Sequence, residues 1–208
     1  MFYPACRRAT DVAFLVDHSS DVTAATAQLT DQFVRAVIDV LGPSWTGIRT
    51  ARSHFSETAV RVVQNFTGEA AIAGLDVPTR VDGNQREADV ERNLDNVIRT
   101  WFSSLFIPSA GDRSEVQDVI VIVVHGRIRD RALAWLADVE VLKADGVKVI
   151  TIGVSIDGRG MLDDLSGVAS NASEARELMV SQAAALMTLK ERLISMICGR
   201  YRVEGNCL

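Results

Sequence analysis

This chain of 208 residues has few cysteines, no excess of basic charge and no long hydrophobic run. No uninterrupted apolar stretch approaches the roughly 18 residues that would predict a membrane-spanning helix. The 22 Lys and Arg residues and the 27 Asp and Glu residues are interspersed, for a formal net charge of −5. Nucleic-acid-binding domains carry a basic patch or stripe, which this sequence lacks. We therefore expect neither membrane insertion nor nucleic-acid binding.

Sequence motifs of common enzyme classes are missing as well. The nucleophile motif Gly-x-Ser-x-Gly does not occur, and neither do the phosphate-binding motifs Gly-x-x-x-x-Gly-Lys and Gly-x-Gly-x-x-Gly. Ser19 and Ser20 lie beside His18, but neighbours on one loop seldom reach the geometry of a catalytic triad. The sequence identifies no partner for His54, at the end of the second predicted strand. We therefore expect a protein that is not an enzyme.

Cysteine positions and glycosylation signals bear on the cellular compartment. The three cysteines, Cys6, Cys198 and Cys207, all lie near the ends of the chain. Two sequons, Asn65-Phe-Thr and Asn171-Ala-Ser, would accept N-linked glycans in a secreted protein. The first residues lack the basic start and apolar core of a signal peptide. Two interpretations follow: a cytosolic protein, or a secreted one whose signal lies elsewhere, and the sequons favour the second.

Hydrophobic patterning predicts strands that alternate with helices. The apolar run Val12–Val16 is typical of a strand that is buried on both faces, and Val119–Val124 predicts the central strand. The order of elements predicts a Rossmann-like three-layer α/β sandwich, with a mostly parallel central sheet, one antiparallel edge hairpin strand and helices on both faces. The predicted strands are 11–17, 48–55, 59–66, 119–124, 147–154 and 176–180. The predicted helices are 23–41, a long helix with its apolar stripe at 90–105, then 129–144, 161–169 and 182–197.

The segment Asp17-His18-Ser19-Ser20-Asp21 directly follows the first strand. Together they resemble the first strand and the Asp-x-Ser-x-Ser metal loop of the von Willebrand factor type A (vWA, integrin I-like) family. Later segments match this family in order and spacing, at 121–126, 149–154, 165–169 and 197–199. The resemblance implies a single vWA-like domain over 11–199, with an N-terminal extension, 1–10, and a C-terminal tail, 200–208.

Members of this family hold a divalent cation at the carboxyl edge of the sheet, in a metal-ion-dependent adhesion site built from oxygen ligands. The resemblance places Asp17 and Ser19 at matching positions, whereas Asp21 replaces the second serine of the loop. The family's threonine position falls on Ala88, which cannot ligate, although neighbouring acidic residues could substitute. His125 stands where the family has the aspartate of Thr-Asp-Gly, and neutral imidazole suits Zn, Cu or Ni better than Mg²⁺.

Three interpretations of this altered site stay open. In the first, the site is degenerate and Asp17 hydrogen-bonds loop amides. In the second, Asp17, Ser19 and Asp21 still hold Mg²⁺ or Ca²⁺ weakly. In the third, His125 joins Asp17, Asp21 and His18 in a mixed nitrogen and oxygen site for a transition metal such as zinc.

The resemblance also implies that the chain ends lie close together and that Cys6 and Cys198 form a disulfide, as in many extracellular members. Cys207 is then the odd cysteine, which suggests an intermolecular bond or a partner outside this chain. Together with the sequons, this pairing favours an extracellular, secreted glycoprotein.

The functional prediction is an extracellular protein-binding or adhesion domain that uses the carboxyl face of the sheet. Its predicted contact residues are His18, Asp82, Asn84 and Arg127. The family allows collagen, matrix glycoproteins or identical domains as partners, and the altered metal shell favours contacts without a bridging Mg²⁺. Two rivals remain: a matrix-assembly protein that self-associates through its third cysteine, and a cytosolic type A domain that acts in a complex.

Overall fold

The computed structural model of the chain describes residues 6, 8–20, 22–42, 47–56, 60–67, 101–126, 133–154 and 161–199. Its strands are β1 (Thr10–Asp17), β2 (Ile48–Phe55), β3 (Val60–Gln64), β4 (Gln117–His125), β5 (Lys148–Val154) and β6 (Met179–Val180). They form one sheet in the order β3-β2-β1-β4-β5-β6. Every neighbouring pair is parallel except β2 and β3, which are antiparallel. The predicted mixed sheet with one antiparallel edge strand is therefore confirmed.

Helices cover both faces of this sheet and bury two separate hydrophobic cores. One core packs α1 and the C-terminal helical segments against Phe14 and its neighbours on that face. The other packs Trp101, Leu105 and residues of α3 and α4 against Leu15 and the opposite face. The helices are α1 (Ala24–Leu41), α2 (described over 101–105), α3 (Leu133–Ala144), α4 (Met161–Val168), α5 (Ala172–Glu177) and α6 (Lys190–Cys198), with 3₁₀ turns at Pro108–Ala110 and Ala183–Leu189.

The end of the chain differs from its predicted structure in two places. The predicted strand at 176–180 is only Met179–Val180, because Asn171 caps the short helix α5, which occupies 172–177. The predicted helix at 182–197 begins as the 3₁₀ segment Ala183–Leu189 and becomes α-helical only at Lys190. In that segment Ala183, Leu186 and Leu189 are buried at intervals of three residues. A 3₁₀ helix has three residues per turn, so all three side chains lie on one face.

The strand β1 lies at the centre of the sheet and positions the candidate site. It is buried along its whole length, between β2 and β4. The chain moves from β1 to β2 on one side, whereas β4 lies on the other side, so β1 and β4 flank the point where the strand order reverses. In open α/β sheets, ligands bind at the carboxyl ends of the strands at such a point. Asp17 ends β1 and His125 ends β4.

A buried ion pair lies at the opposite edge of the sheet, where the parallel strands begin. The carboxylate of Asp11, which has no exposed surface, accepts a hydrogen bond from Nη2 of Arg113 at 2.6 Å and another from the Arg113 backbone amide at 2.9 Å. The same guanidinium donates to the carbonyl oxygen of Gly47 at 2.9 Å. Arg113 therefore both neutralises a buried charge and satisfies a loop carbonyl.

A second carboxyl group at this edge makes stability depend on pH. Burial, with the nearby charges of Asp112 and Asp11, raises the pKa of Asp118 from 3.8 to about 7. A carboxyl whose pKa is raised by folding favours the native state below the unfolded pKa, and that advantage is lost as the pH rises through the folded pKa. Asp118 is only half-buried, so solvent screening reduces the expected cost of its ionisation to about 1–2 kcal/mol.

We therefore expect Asp118→Asn to stabilise the protein more at pH 8.5 than at pH 5, with a difference of about 1–2 kcal/mol between the two conditions. Urea denaturation of both proteins at each pH measures this difference. Asp39→Asn, on an exposed position of α1, controls for the loss of one surface carboxylate. A gain of equal size at pH 5 and pH 8.5 would contradict the assignment to Asp118.

Candidate functional site

The Asp17 loop (residues 17–20) begins where β1 ends, and its carboxylate is bonded by the protein itself. Asp17 has no exposed surface. Its Oδ1 accepts hydrogen bonds from the backbone amide of Ser19 at 3.0 Å and from the Ser19 hydroxyl at 2.5 Å. Its Oδ2 accepts one from the backbone amide of His125 at 3.0 Å, which ties β1 to β4. These three donors satisfy a carboxylate whose burial would otherwise be costly.

His125 faces the same carboxylate and is held from behind by α1. Its Nδ1 lies 4.0 Å from Oδ2 of Asp17. Its Nε2 lies 2.9 Å from the hydroxyl of Thr30, and that hydroxyl donates to the carbonyl oxygen of Thr26 at 3.0 Å. The Thr30 hydroxyl has one hydrogen, so it accepts from Nε2 and fixes the proton on that nitrogen. Nδ1 of the ring lies on the side of Asp17.

The donors described at this point do not complete a shell for a hard cation. Asp17 and Ser19 are oxygen donors, but they bond each other, and the third position offers the imidazole nitrogen of His125. Mg²⁺ and Ca²⁺ require six or more oxygen ligands, whereas nitrogen and carboxylate donors together suit zinc. Asp21 lies outside the described residues. The geometry thus brings Asp17, Ser19 and His125 together and gives Thr30 a supporting role that the sequence did not indicate.

His18 points away from Asp17 and joins a second group of side chains. Its ring stacks on that of His54, with centroids 3.7 Å apart and planes 12° apart. Asp31, on α1, places Oδ1 3.5 Å from Nε2 of His18 and 3.2 Å from Nε2 of His54. We call His18, Asp31 and His54 the histidine cluster. The expectation that His18 would complete the site at His125 is not what the geometry shows, and His54 has the partners that the sequence did not identify.

The cluster shifts the titration of its members. Burial alone would raise the pKa of the Asp31 carboxyl, but the close imidazoles of His18 and His54 outweigh it and hold that pKa well below its usual range. Burial lowers the pKa of His54, and the facing Asp31 offsets this only in part. The ring of His54 is therefore neutral at pH 7 beside an ionised carboxylate.

Other predicted site residues are placed differently. Asn65 is buried and its Oδ1 accepts hydrogen bonds from the amide and hydroxyl of Thr67, and its glycosylation stays a prediction. Asn171 is exposed at the start of α5, and its glycosylation stays a prediction. A disulfide joins Cys6 to Cys198 across a sequence separation of 192 residues. The predicted residues Asp82, Asn84, Arg127 and Cys207 lie outside the described part of the chain.

The sheet order and the Asp17 loop agree with a comparison of the sequence with protein families. A family model described as von Willebrand factor type A domain matches residues 11–192. The chain belongs to this family. Domains of the vWA family are generally non-enzymatic modules for adhesion and protein–protein interaction. No curated protein sequence matches the chain significantly.

Solved structures show the same fold at low sequence identity. Proximal thread matrix protein 1 from the mussel byssus superimposes with a TM-score of 0.69 at 19% identity, over 94% of this chain and 49% of that chain. Another structure of the mussel protein, with a zinc-occupied MIDAS motif, has a TM-score of 0.68 at 19% identity, over 94% and 49%. A von Willebrand factor type A protein from Catenulispora acidiphila has a TM-score of 0.59 at 14% identity, over 92% and 43%.

This vWA chain therefore spans about half the length of the structures that it resembles. Among the residues described, no helix is both long enough and apolar enough to cross a bilayer. The zinc in the mussel protein is a property of that protein, and the donors of this chain have to be judged by their own geometry.

Proposed function

We propose that residues 11–199 form an extracellular protein-binding domain that contacts its partner through the carboxyl face of the sheet, without a bridging Mg²⁺. The observation that supports this proposal is the bonding of Asp17. In a site that recruits Mg²⁺, loop oxygens face the ion, whereas here Asp17 bonds Ser19 and the amide of His125. The loop is thus held in place by protein donors, and its exposed part is left for direct contact.

Two features of the rim suit a protein partner. Ser20 is exposed beside the buried Ser19, and His18 is partly exposed. The loop itself is braced: the amide of Val22 donates to the carbonyl oxygen of Ser19 at 3.0 Å, and Thr23 caps the first turn of α1. A rigid loop loses little conformational entropy when it binds, which favours affinity. Fibrillar collagen, a matrix glycoprotein and a second copy of the chain are the partner classes to test.

The test measures binding of the purified chain to immobilised fibrillar collagen, fibronectin and the chain itself by surface plasmon resonance, with and without added Mg²⁺. We expect one of these surfaces to bind equally in both buffers. Ser20→Arg should then weaken binding by roughly tenfold or more, because it places a bulky charge at the contact. Ser114→Arg is the matched control, since Ser114 is also exposed but lies at the amino edge of the sheet.

Three results would refute the proposal: no binding to any of the three surfaces, binding that requires Mg²⁺, or equal losses from Ser20→Arg and Ser114→Arg. The rival proposal, assembly through disulfides, has one supporting observation. The bond between Cys6 and Cys198 leaves Cys207 as the remaining cysteine of the chain. Disulfide-linked ladders in non-reducing electrophoresis that disappear with Cys207→Ser would favour assembly over a monomeric binding domain.

A further inference from the structure

The histidine cluster gathers three metal-binding side chains from three different elements. His18 follows β1, Asp31 lies on α1, and His54 lies near the end of β2. In the parallel register His54 is paired with Val16, so its side chain lies on the α1 face of the sheet. One ligand atom from each side chain lies within 4.8 Å of the other two. The fold therefore gathers two imidazole nitrogens and one carboxylate oxygen, and one of the two stacked rings would have to turn for both nitrogens to face a single ion.

The separations of these atoms are compatible with the ligand shell of a zinc ion. Zinc binds histidine nitrogen and carboxylate oxygen at about 2.0–2.2 Å, so two ligands of a tetrahedral shell are about 3.3–3.4 Å apart. The separations from Oδ1 of Asp31 are 3.5 Å to His18 and 3.2 Å to His54. Two of the three ligand separations thus already match those of a zinc shell.

The same three atoms lack other partners. Nε2 of His18, Nε2 of His54 and Oδ1 of Asp31 are each buried from solvent without a hydrogen bond of normal geometry. Buried polar atoms in folded proteins are nearly always hydrogen-bonded, so such atoms require an explanation such as a bound ion.

We propose that His18, Asp31 and His54 bind one divalent transition-metal ion, zinc above all, at the carboxyl edge of the sheet, where the Asp17 loop supplies His18. Two imidazoles and a carboxylate leave one tetrahedral position open, as in zinc sites that bind water or an exogenous ligand. The side chains keep 20–26% of their surface exposed, although the ligand atoms themselves are buried. This site is separate from the one at Asp17 and His125, and it goes beyond the proposed function because it needs no protein partner.

Arg52 limits the affinity of the site. It lies two residues before His54 on the same face of β2, and its Nη1 is 3.9 Å from Oδ1 of Asp31. Its positive charge competes with a cation for this carboxylate and repels the ion directly. Removal of the Arg52 charge should therefore tighten metal binding, a gain that a misfolded variant could not produce.

The experiment titrates metal-free protein with Zn²⁺ in competition with a chromophoric chelator and counts bound zinc by elemental analysis. We expect the wild-type protein to bind one equivalent of zinc. His54→Gln and Asp31→Asn should each lower the affinity for zinc by on the order of 100-fold, whereas Arg52→Gln should raise it by about tenfold. Co²⁺ titration supplies a second readout, since tetrahedral Co²⁺ absorbs visible light and the band should be lost with His54→Gln. Circular dichroism checks that each variant is folded.

His125→Gln is the control that separates the two candidate sites. The equivalent of zinc should survive it, because His125 lies with Asp17 and not with the histidine cluster. Loss of zinc with His125→Gln but not with His54→Gln would overturn the proposal, and so would a wild-type protein that binds no zinc. In the second case the cluster would be an ion-pair network around Asp31. Neither outcome depends on the partner-binding test, which is run without zinc and uses a substitution at a different residue, Ser20.

Discussion

Replacement of both Cys6 and Cys198 by serine is expected to lower the free energy of unfolding by about 5 kcal/mol, the largest effect of any change considered for this domain. The disulfide closes a loop of 192 residues, and its Cα atoms lie 4.6 Å apart. In the chain-entropy account, a cross-link restricts the unfolded chain more strongly as the closed loop becomes longer. A loss of this size is comparable to the whole stability of many domains.

Urea denaturation of the wild-type and double-serine proteins measures this loss, and reduced wild-type protein should match the double variant. Cys207→Ser is the matched control, since it removes a cysteine outside the pair and should leave stability unchanged. A double variant that unfolds at the same urea concentration as oxidised wild type would show that the bond does not stabilise the domain.

The second large effect concerns the amino edge of the sheet. Arg113→Met should lower the free energy of unfolding by about 3–5 kcal/mol, because it leaves the buried carboxylate of Asp11 without its counter-charge. Asp11 has no exposed surface, so water cannot replace the two side-chain donors that the guanidinium supplies. The carbonyl oxygen of Gly47 loses a donor in the same variant.

Arg49→Met is the control for this prediction. Arg49 is exposed on the neighbouring strand and donates to a carbonyl oxygen, that of Gly111, without neutralising a buried carboxylate. Its loss should cost about 1 kcal/mol. Adding Asp11→Asn to Arg113→Met should restore part of the lost stability, since it removes the uncompensated charge. Equal losses from Arg113→Met and Arg49→Met in urea denaturation would disprove the role of the ion pair.

The apolar runs were sufficient to predict the main strands of the sheet and to place Asp17 and His125 at strand ends. Parallel strands that are buried on both faces read as continuous apolar runs, so β1 and β4 stand out without any knowledge of their neighbours. The residue that follows each run then falls at the carboxyl edge. That β1 and β4 are neighbours was implied by the resemblance to the vWA family, because run length and the handedness of connections do not fix the strand order.

The histidine cluster could not be predicted in the same way, because its members come from three elements whose relative register the sequence does not contain. Asp31 reads as an ordinary polar residue of an amphipathic helix. One signal was present. Arg52 and His54 are two residues apart, so both lie on the face of β2 that packs towards α1, where apolar residues are expected. Buried polar side chains need partners, and that requirement could have directed attention to α1. Thr30 escaped notice for the same reason.

The 3₁₀ segment shows a different limit. Leu186 and Leu189 are three residues apart, a spacing that an α-helix and a 3₁₀ helix both place on one face. Apolar periodicity over seven residues cannot separate a repeat of 3.0 from one of 3.6. Packing against the sheet, where Ala183, Leu186 and Leu189 are all buried, determines that this segment is a 3₁₀ helix.

The bond between the two ends also has a mechanical consequence. If this domain lies within a longer polypeptide under tension, the pulling force enters at Cys6 and leaves at Cys198, whose Cα atoms are 4.6 Å apart. The load is carried by the covalent bridge, and the strands between these residues are not stretched. Such a domain would act as a nearly inextensible link, and reduction of the bridge would release 192 residues of slack.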